Sequence, residues 1–228
     1  MRFPHFRSLV PGIVIAMGLL PAGCTHSPTS PHDTIVGSGK MISEQRDVGA
    51  FEGIQVTGYA DVVITQGSLE ALRVEADDNI LPRVQTSVQN GTLVVALEEG
   101  SYSKITVNVY VSMKTIERLE CTGAADFTVT GPVSLNDFVC RITGTGHVTL
   151  TGSAVTQTVL ISGSGTVHNF GLVTSRTTVQ ISGAGTVEVH ALEELSAVIS
   201  GAGNIVYAGD PPVVHQTVSG VGSIGRKP

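Results

Sequence analysis

The chain has 228 residues, a formal net charge of −6, no Trp, 4% aromatic and 41% hydrophobic residues, and 27 Gly. The length suits one large domain, and a core this poor in aromatics must be filled by aliphatics, here mostly Val, Ile and Leu, of which the β-branched types favour strands. The negative charge, with no run of Lys or Arg, excludes the basic footprint that nucleic-acid binding needs.

In chain order, the first element is a targeting segment. Arg2 and Arg7 give a positive start, Leu9 to Leu20 is an apolar run too short to span a bilayer comfortably, and Pro21-Ala22-Gly23 precedes Cys24. This is a secretory signal pattern. It resembles a bacterial lipoprotein signal (residues 1–23), with Cys24 as the lipidated mature N-terminus, although Pro21 stands where Leu is usual. Simple secretion and an uncleaved anchor are the alternatives. Acyl chains on Cys24 would hold the protein at a membrane, each buried CH₂ contributing about 0.8 kcal/mol. Thr25, not Asp, follows the cysteine, which implies the outer membrane if the host is diderm. Residues 24–37, rich in Pro, Ser and Thr, read as lipidated Cys plus flexible tether, and residues 38–228 as the folded domain.

The segment Ile54-Gln55-Val56-Thr57-Gly58-Tyr59-Ala60-Asp61-Val62 alternates on both sides of a glycine. Leu72 to Ala76 reads as a strand, Asp77-Asp78-Asn79 as a turn, and Ile80-Leu81-Pro82 as a short bend. Val84 to Val88 and Thr92 to Leu97 flank Asn90-Gly91, a hairpin signal. Ile105 to Val111 alternates as a further strand. Residues 71–119 are expected to form longer, decorated coils on the axis of the repeats that follow, with a separate small β domain as the alternative.

From Thr122 onward a tag recurs every 18 to 21 positions: Thr122-Gly123, then Thr143-Gly144-Thr145-Gly146, Ser162-Gly163-Ser164-Gly165, Ser182-Gly183-Ala184-Gly185, Ser200-Gly201-Ala202-Gly203 and Ser219-Gly220-Val221-Gly222. Fixed-period self-similarity of this length signals stacked coils. Two residues before the first glycine stand Cys121, Ile142, Ile161, Ile181, Ile199 and Val218; four after it stand Phe127, Val148, Val167, Val187, Ile205 and Ile224. Apolar entries two apart share one face of a strand, so each copy reads as strand, corner, strand. The glycines Gly144, Gly146, Gly163, Gly165, Gly183, Gly185, Gly201, Gly203, Gly220 and Gly222 are the expected corners, chosen for backbone angles that side chains forbid. The architecture is all-β, a single-stranded parallel β-helix with coils of about 18–21 residues. Period two excludes helical solenoids, and propeller blades need about 40 residues or more.

Gly37-Ser38-Gly39, Glu44, Arg46, Phe51, Ile54-x-Val56-x-Gly58-x-x-Asp61-Val62, Gly67, Glu75-Ala76-Asp77-x-Asn79, Gly91-x-Leu93 and the Gly-x-Gly coils together resemble a bacterial envelope family of unknown function, named for the GIN-type head domain of autotransporter adhesins. The resemblance runs from about Gly37 to the C-terminus. It implies a right-handed parallel β-helix and an envelope location.

Candidate chemistry is sparse. The hydroxyl before each first glycine (Thr143, Ser162, Ser182, Ser200, Ser219, with Thr57 and Thr122 upstream) should face outward. It reads as a candidate binding face for a surface polysaccharide or envelope protein, or as a ladder bonding neighbouring coils, the second being favoured. A calcium roll would need a carboxylate in every coil, but the position after the corner holds Asp61, Asp126, His147, Thr166, Thr186, Asn204 and Ser223. His147, His168 and His190 trace a diagonal too open for a zinc site. No metal or cofactor is expected. Cys121 and Cys140 should stand in different inward columns, too far apart for a disulfide, and read as buried free thiols. Gly37-Ser38-Gly39-Lys40 lacks phosphate-loop spacing. Arg73, Glu75, Asp77, Asp78 and Arg83 read as strand-edge and turn residues rather than catalytic groups. The expected function is that of a non-catalytic, lipid-anchored envelope protein presenting an extended surface for adhesion, scaffolding or polymer binding. A carbohydrate-active β-helix enzyme (lyase or hydrolase) and a self-assembling structural protein are the alternatives.

Overall fold

The structure, a computed structural model, describes residues 34–228; the leader, Cys24 and most of the tether lie outside the described residues. In chain order the strands are β1 (Ile35–Val36), β2 (Met41–Arg46), β3 (Gly53–Val56), β4 (Tyr59–Gln66), β5 (Ala71–Asp77), β6 (Val84–Gln89), β7 (Thr92–Leu97), β8 (Tyr102–Ser103), β9 (Val107–Met113), β10 (Arg118–Cys121), β11 (Ala124–Ile142), β12 (Thr145–Ile161), β13 (Ser164–Ile181), β14 (Ala184–Ile199), β15 (Ala202–Ala208), β16 (Val213–Val218) and β17 (Val221–Arg226). The bend at Ile80 to Pro82 is a 3₁₀ turn, Leu81–Arg83.

Strands β10 to β17 stack in parallel, each coil directly on the one before. The inward columns are those the repeat implies. Cys121 pairs with Ile142, Ile142 with Ile161, Ile161 with Ile181 and Ile181 with Ile199. All five are buried in one contiguous core. The fold is a parallel β-solenoid. Like-on-like stacking suits it because neighbouring coils lie only about 4.8 Å apart, so side chains of equal shape fill each layer.

Strands β11 to β14 each run through most of a coil, so they must bend. In β12 the inward residues are Gly146, Val148 and Leu150, then Ala154, then Gln157, Val159 and Ile161, with Val155 and Thr156 both facing away from the core. The outward stretch Thr151 to Ser153 and this slip divide the coil into three inward runs. The register shifts between β11 and β12 at Thr128/Pro132 and between β12 and β13 at Thr149/Gly152 fall at the first of these two bends. Gly131 (φ 77°) and Gly152 (φ 127°) occupy the first of these bends in their coils, where positive φ requires glycine.

The N-terminal end does not wind monotonically. β3 pairs in parallel with β10 on one side and β7 on the other, and β4 likewise with β11 and β9. The coil made from β7 and β9 therefore lies outside the coil made from β3 and β4, although it comes later in the chain. Antiparallel neighbours complete this end: β6 on β7, and β2 on β5 on β9. The β6–β7 hairpin turns at Asn90 (φ 50°) and Gly91 (φ 73°), both left-handed as a two-residue turn demands. Residues 71–119 thus lie on the same axis as the repeats, as a mixed cap rather than as longer parallel coils. At the other end β16 pairs only with β14 and β17 only with β15 among the described strands, and Val218 is 43% exposed in a column where every earlier member is buried.

Candidate functional site

The corner is built first by the backbone. The N–H groups of Thr143 and Gly144 both donate to the carbonyl of Cys121, at 2.8 and 3.2 Å. Ser162 and Gly163 do the same to Ile142, Ser182 and Gly183 to Ile161, and Ser200 and Gly201 to Ile181. A Cβ on Gly144, Gly163, Gly183, Gly201 or Gly220 would overlap the carbonyl oxygen of the corner glycine one coil below. None of these five has a positive φ. Close approach of backbones, not a forbidden backbone angle, is what demands glycine there. The second column (Gly146, Gly165, Gly185, Gly203) also lacks positive φ; only Gly222, with φ 146°, fits the angular explanation.

That tight corner turns the preceding hydroxyl outward. Thr143, Ser162, Ser182, Ser200 and Ser219 are all exposed. The threonine hydroxyls are largely spent on the fold: Thr57, Thr122 and Thr143 donate to the carbonyls of Val95, Val56 and Cys121 at 3.4, 3.3 and 3.2 Å. Ser182 reaches Ile161 O only at 3.4 Å, and Ser162 and Ser200 make no side-chain hydrogen bond among the described residues. Ser162, Ser182 and Ser200 form one wall of an axial groove of about 230 Å³; Arg141, Leu160, Gln180 and Val198, paired in register, form the other. Thr143 and Ser219 do not line it. The groove offers hydroxyls at the coil spacing of about 4.8 Å beside a partly apolar wall, a surface suited to an extended polymer.

A larger cleft, about 630 Å³, opens at the N-terminal end of the same corner line, between Gly58-Tyr59 and the loop from Leu97 to Ile105. Periodicity gave no warning of the loop. The one sequence signal is Tyr59, which heads a column continued by Ala124, Thr145, Ser164, Ala184, Ala202 and Val221, none of them aromatic. The loop is pinned from beneath. The buried carboxylate of Asp77 accepts from the N–H of Gly39 at 2.7 Å and of Thr106 at 2.9 Å, β1 pairs with β8, and the Tyr102 hydroxyl donates to Glu98 O at 2.8 Å. Beside the cleft, Asp61 and Asp126 stand in register on adjacent coils. Burial, and then the charge of Asp126, raise the Asp61 pKa; burial followed by both carboxylates raises that of Tyr59.

Among the described residues Cys121 and Cys140 are free and buried; Cys140 pairs with Leu119 and Cys121 with Ile142, so they occupy different columns. Burial pushes the Cys140 thiol up to about 12. His168 pairs with Glu188 at 2.8 Å, and no cluster of three or more metal-ligating side chains occurs among the described residues. Arg73 pairs with Glu75 at 2.7 Å and lies over the Tyr110 ring, Arg83 pairs with Glu98, and Asp78 binds Ser38 and Lys40. The Gly37 to Lys40 segment is thus a strap tied to an acidic turn.

Residues 50–211 match the family model described as "Putative auto-transporter adhesin, head GIN domain". Among solved structures, the chain is similar to a putative adhesin from Bacteroides fragilis (20% identity over 85% of this chain and 100% of that chain, TM-score 0.68). It is also similar to a putative adhesin from Parabacteroides merdae (20% identity, 86% and 100% covered, TM-score 0.51) and to a putative lipid binding protein from Parabacteroides distasonis (20%, 86% and 100%, TM-score 0.54). At such identities the likeness is one of fold. No curated protein matches the chain.

Proposed function

The chain belongs to the family of the auto-transporter adhesin head GIN domain, and on that premise we propose that it is a non-catalytic, lipid-anchored envelope protein whose solenoid presents an extended surface to a surface polysaccharide or envelope protein. The observation that carries this reading is the axial groove, in which Ser162, Ser182 and Ser200 repeat one hydroxyl per coil beside Leu160, Gln180 and Val198. A repeating ligand meets the same donor and acceptor at each step, so weak contacts add along the polymer. Cys24 carries the anchor, in the outer membrane if the host is diderm, and residues 24–37 space the domain from the bilayer. Labelled palmitate should enter the wild-type chain and not Cys24→Ser. The groove is tested by glycan-array binding and envelope pull-down with Ser162, Ser182 and Ser200 all changed to Asp: retention should fall, and unchanged retention would sink the groove as the binding face.

A glycan-cleaving enzyme is the second reading, because Glu98 and Glu99 both line the large cleft. Against it, the two are chain neighbours on one loop, and Glu98 is paired with Arg83 at 3.3 Å. Glycoside cleavage uses carboxylates flanking the bond, about 5–10 Å apart. Release of new reducing ends from a polysaccharide panel would establish the enzyme instead.

A further inference from the structure

The geometry points to the cleft at Tyr59 and Tyr102 as a second binding site, one that takes a single pyranose unit of a neutral glycan. The inference rests on the reading of the chain as a non-catalytic surface binder, but not on the serine groove.

Size comes first. A cleft of about 630 Å³ falls in the range of small-ligand sites, whereas the axial groove offers only about 230 Å³. Shape is second. The walls are Tyr59, Leu97, Tyr102 and Ile105, while Glu99 and Lys104 bring the polar groups. Tyr59 is 38% exposed, which leaves its ring accessible to a ligand. The site is also preformed: Leu97 packs so closely under the corner that a Cβ on Gly58 would meet the Leu97 nitrogen at 2.7 Å. Lys104 sits at φ 51°, a left-handed angle that the loop holds while the carboxylate of Asp77 binds the N–H of Thr106.

Charge selects the ligand class. Glu98 is paired with Arg83, so Glu99 and Lys104 leave one charge of each sign among the lining residues. A polyanion would meet Glu99, with Asp61 and Asp126 beside the cleft, and a polycation would meet Lys104, each at a cost. An acyl chain would cover the apolar walls but desolvate Glu99, Lys104 and the Tyr59 hydroxyl without partners. A pyranose has an apolar C–H face to lay on an aromatic ring and a rim of hydroxyls that both donate and accept. That matches a tyrosine wall bounded by an acceptor, Glu99, and a donor, Lys104.

The test exploits the composition: four Tyr and no Trp, so intrinsic fluorescence reports tyrosine alone, and two of the four line the cleft. The full chain in detergent is titrated with cellotriose, maltotriose and chitotriose, with trigalacturonic acid and a lysophospholipid as comparison ligands. At least one neutral trisaccharide should bind saturably, and Tyr59→Ala should weaken it about tenfold without moving the melting temperature. Ser182→Ala, in the distant groove, should leave it unchanged. Loss on Ser182→Ala with retention on Tyr59→Ala would overturn the cleft and leave the groove reading standing. Preference for the acid or the lipid, or no trisaccharide binding at all, would overturn the cleft too, whether or not envelope polymer is still retained in pull-down.

Discussion

The two corner glycines look alike in the repeat but differ in what surrounds them. Gly163 faces backbone, the carbonyls of Gly144 and Thr143, which cannot move without unwinding a coil; Gly165 faces the flexible end of Ile142, at 2.8 Å. Gly163→Ala should therefore cost about 3 kcal/mol and Gly165→Ala about 1 kcal/mol, read as denaturant midpoints; equal losses would refute the close-approach account. Gln157 is a residue-scale anomaly. It stands between Phe138 and Thr177 in an inward column, is 1% exposed, and neither its amide oxygen nor its nitrogen has a partner among the described residues. Orphaned buried polar groups cost about 1–3 kcal/mol each. Gln157→Leu should consequently raise stability by about 1 kcal/mol; a fall would mean that the amide is satisfied. Cys140 gives a pH signature. Its folded pKa is raised by burial from 9.0 to about 12. The unfolded state thus loses the thiol proton first, so the contribution is intact below pH about 9 and is lost as pH rises toward 12. Between those limits the loss is roughly 1 kcal/mol per pH unit. Subtracting the stability–pH curve of Cys140→Val from that of wild type should isolate it.

At the scale of elements, the strands and the Asn90-Gly91 hairpin were legible because period two and turn chemistry are local signals. The tie between them was not. Asp77, inside a stretch that reads as an ordinary acidic turn, is 2% exposed and joins Gly39 to Thr106, residues far apart in the chain. Such a role depends on which segments meet, which no local pattern encodes. Asp77→Ala should cost about 2–3 kcal/mol and speed protease cleavage within residues 98–106, where limited proteolysis followed by mass spectrometry would detect it. Stability loss without new cleavage there would separate the carboxylate from the cleft loop. The candidate face divided in the same manner. Its outward parity followed from the columns, yet only Ser162, Ser182 and Ser200 line the groove, facing Arg141, Leu160, Gln180 and Val198 from the strand ends before the corners.

For the whole molecule, each coil touches chiefly its neighbours, so stability should vary along the axis as it does in other solenoids. β16 is exposed throughout, whereas β12 and β13 are covered on both sides. Amide hydrogen exchange should be slowest in β12 and β13 and fastest in β16 and β17; uniform protection to residue 226 would contradict nearest-neighbour stability. What the sequence by itself determined is the repeat: which columns flanking the glycine tag face inward, and that the coils stack in parallel, because period-two patterning is written into every copy. Only the tertiary structure decided that a later segment caps an earlier coil, why the corner must be glycine, and that Tyr59 meets the 97–105 loop to form a cleft. These depend on contacts between segments distant in the chain, and a side chain's identity does not say which backbone will be pressed against it.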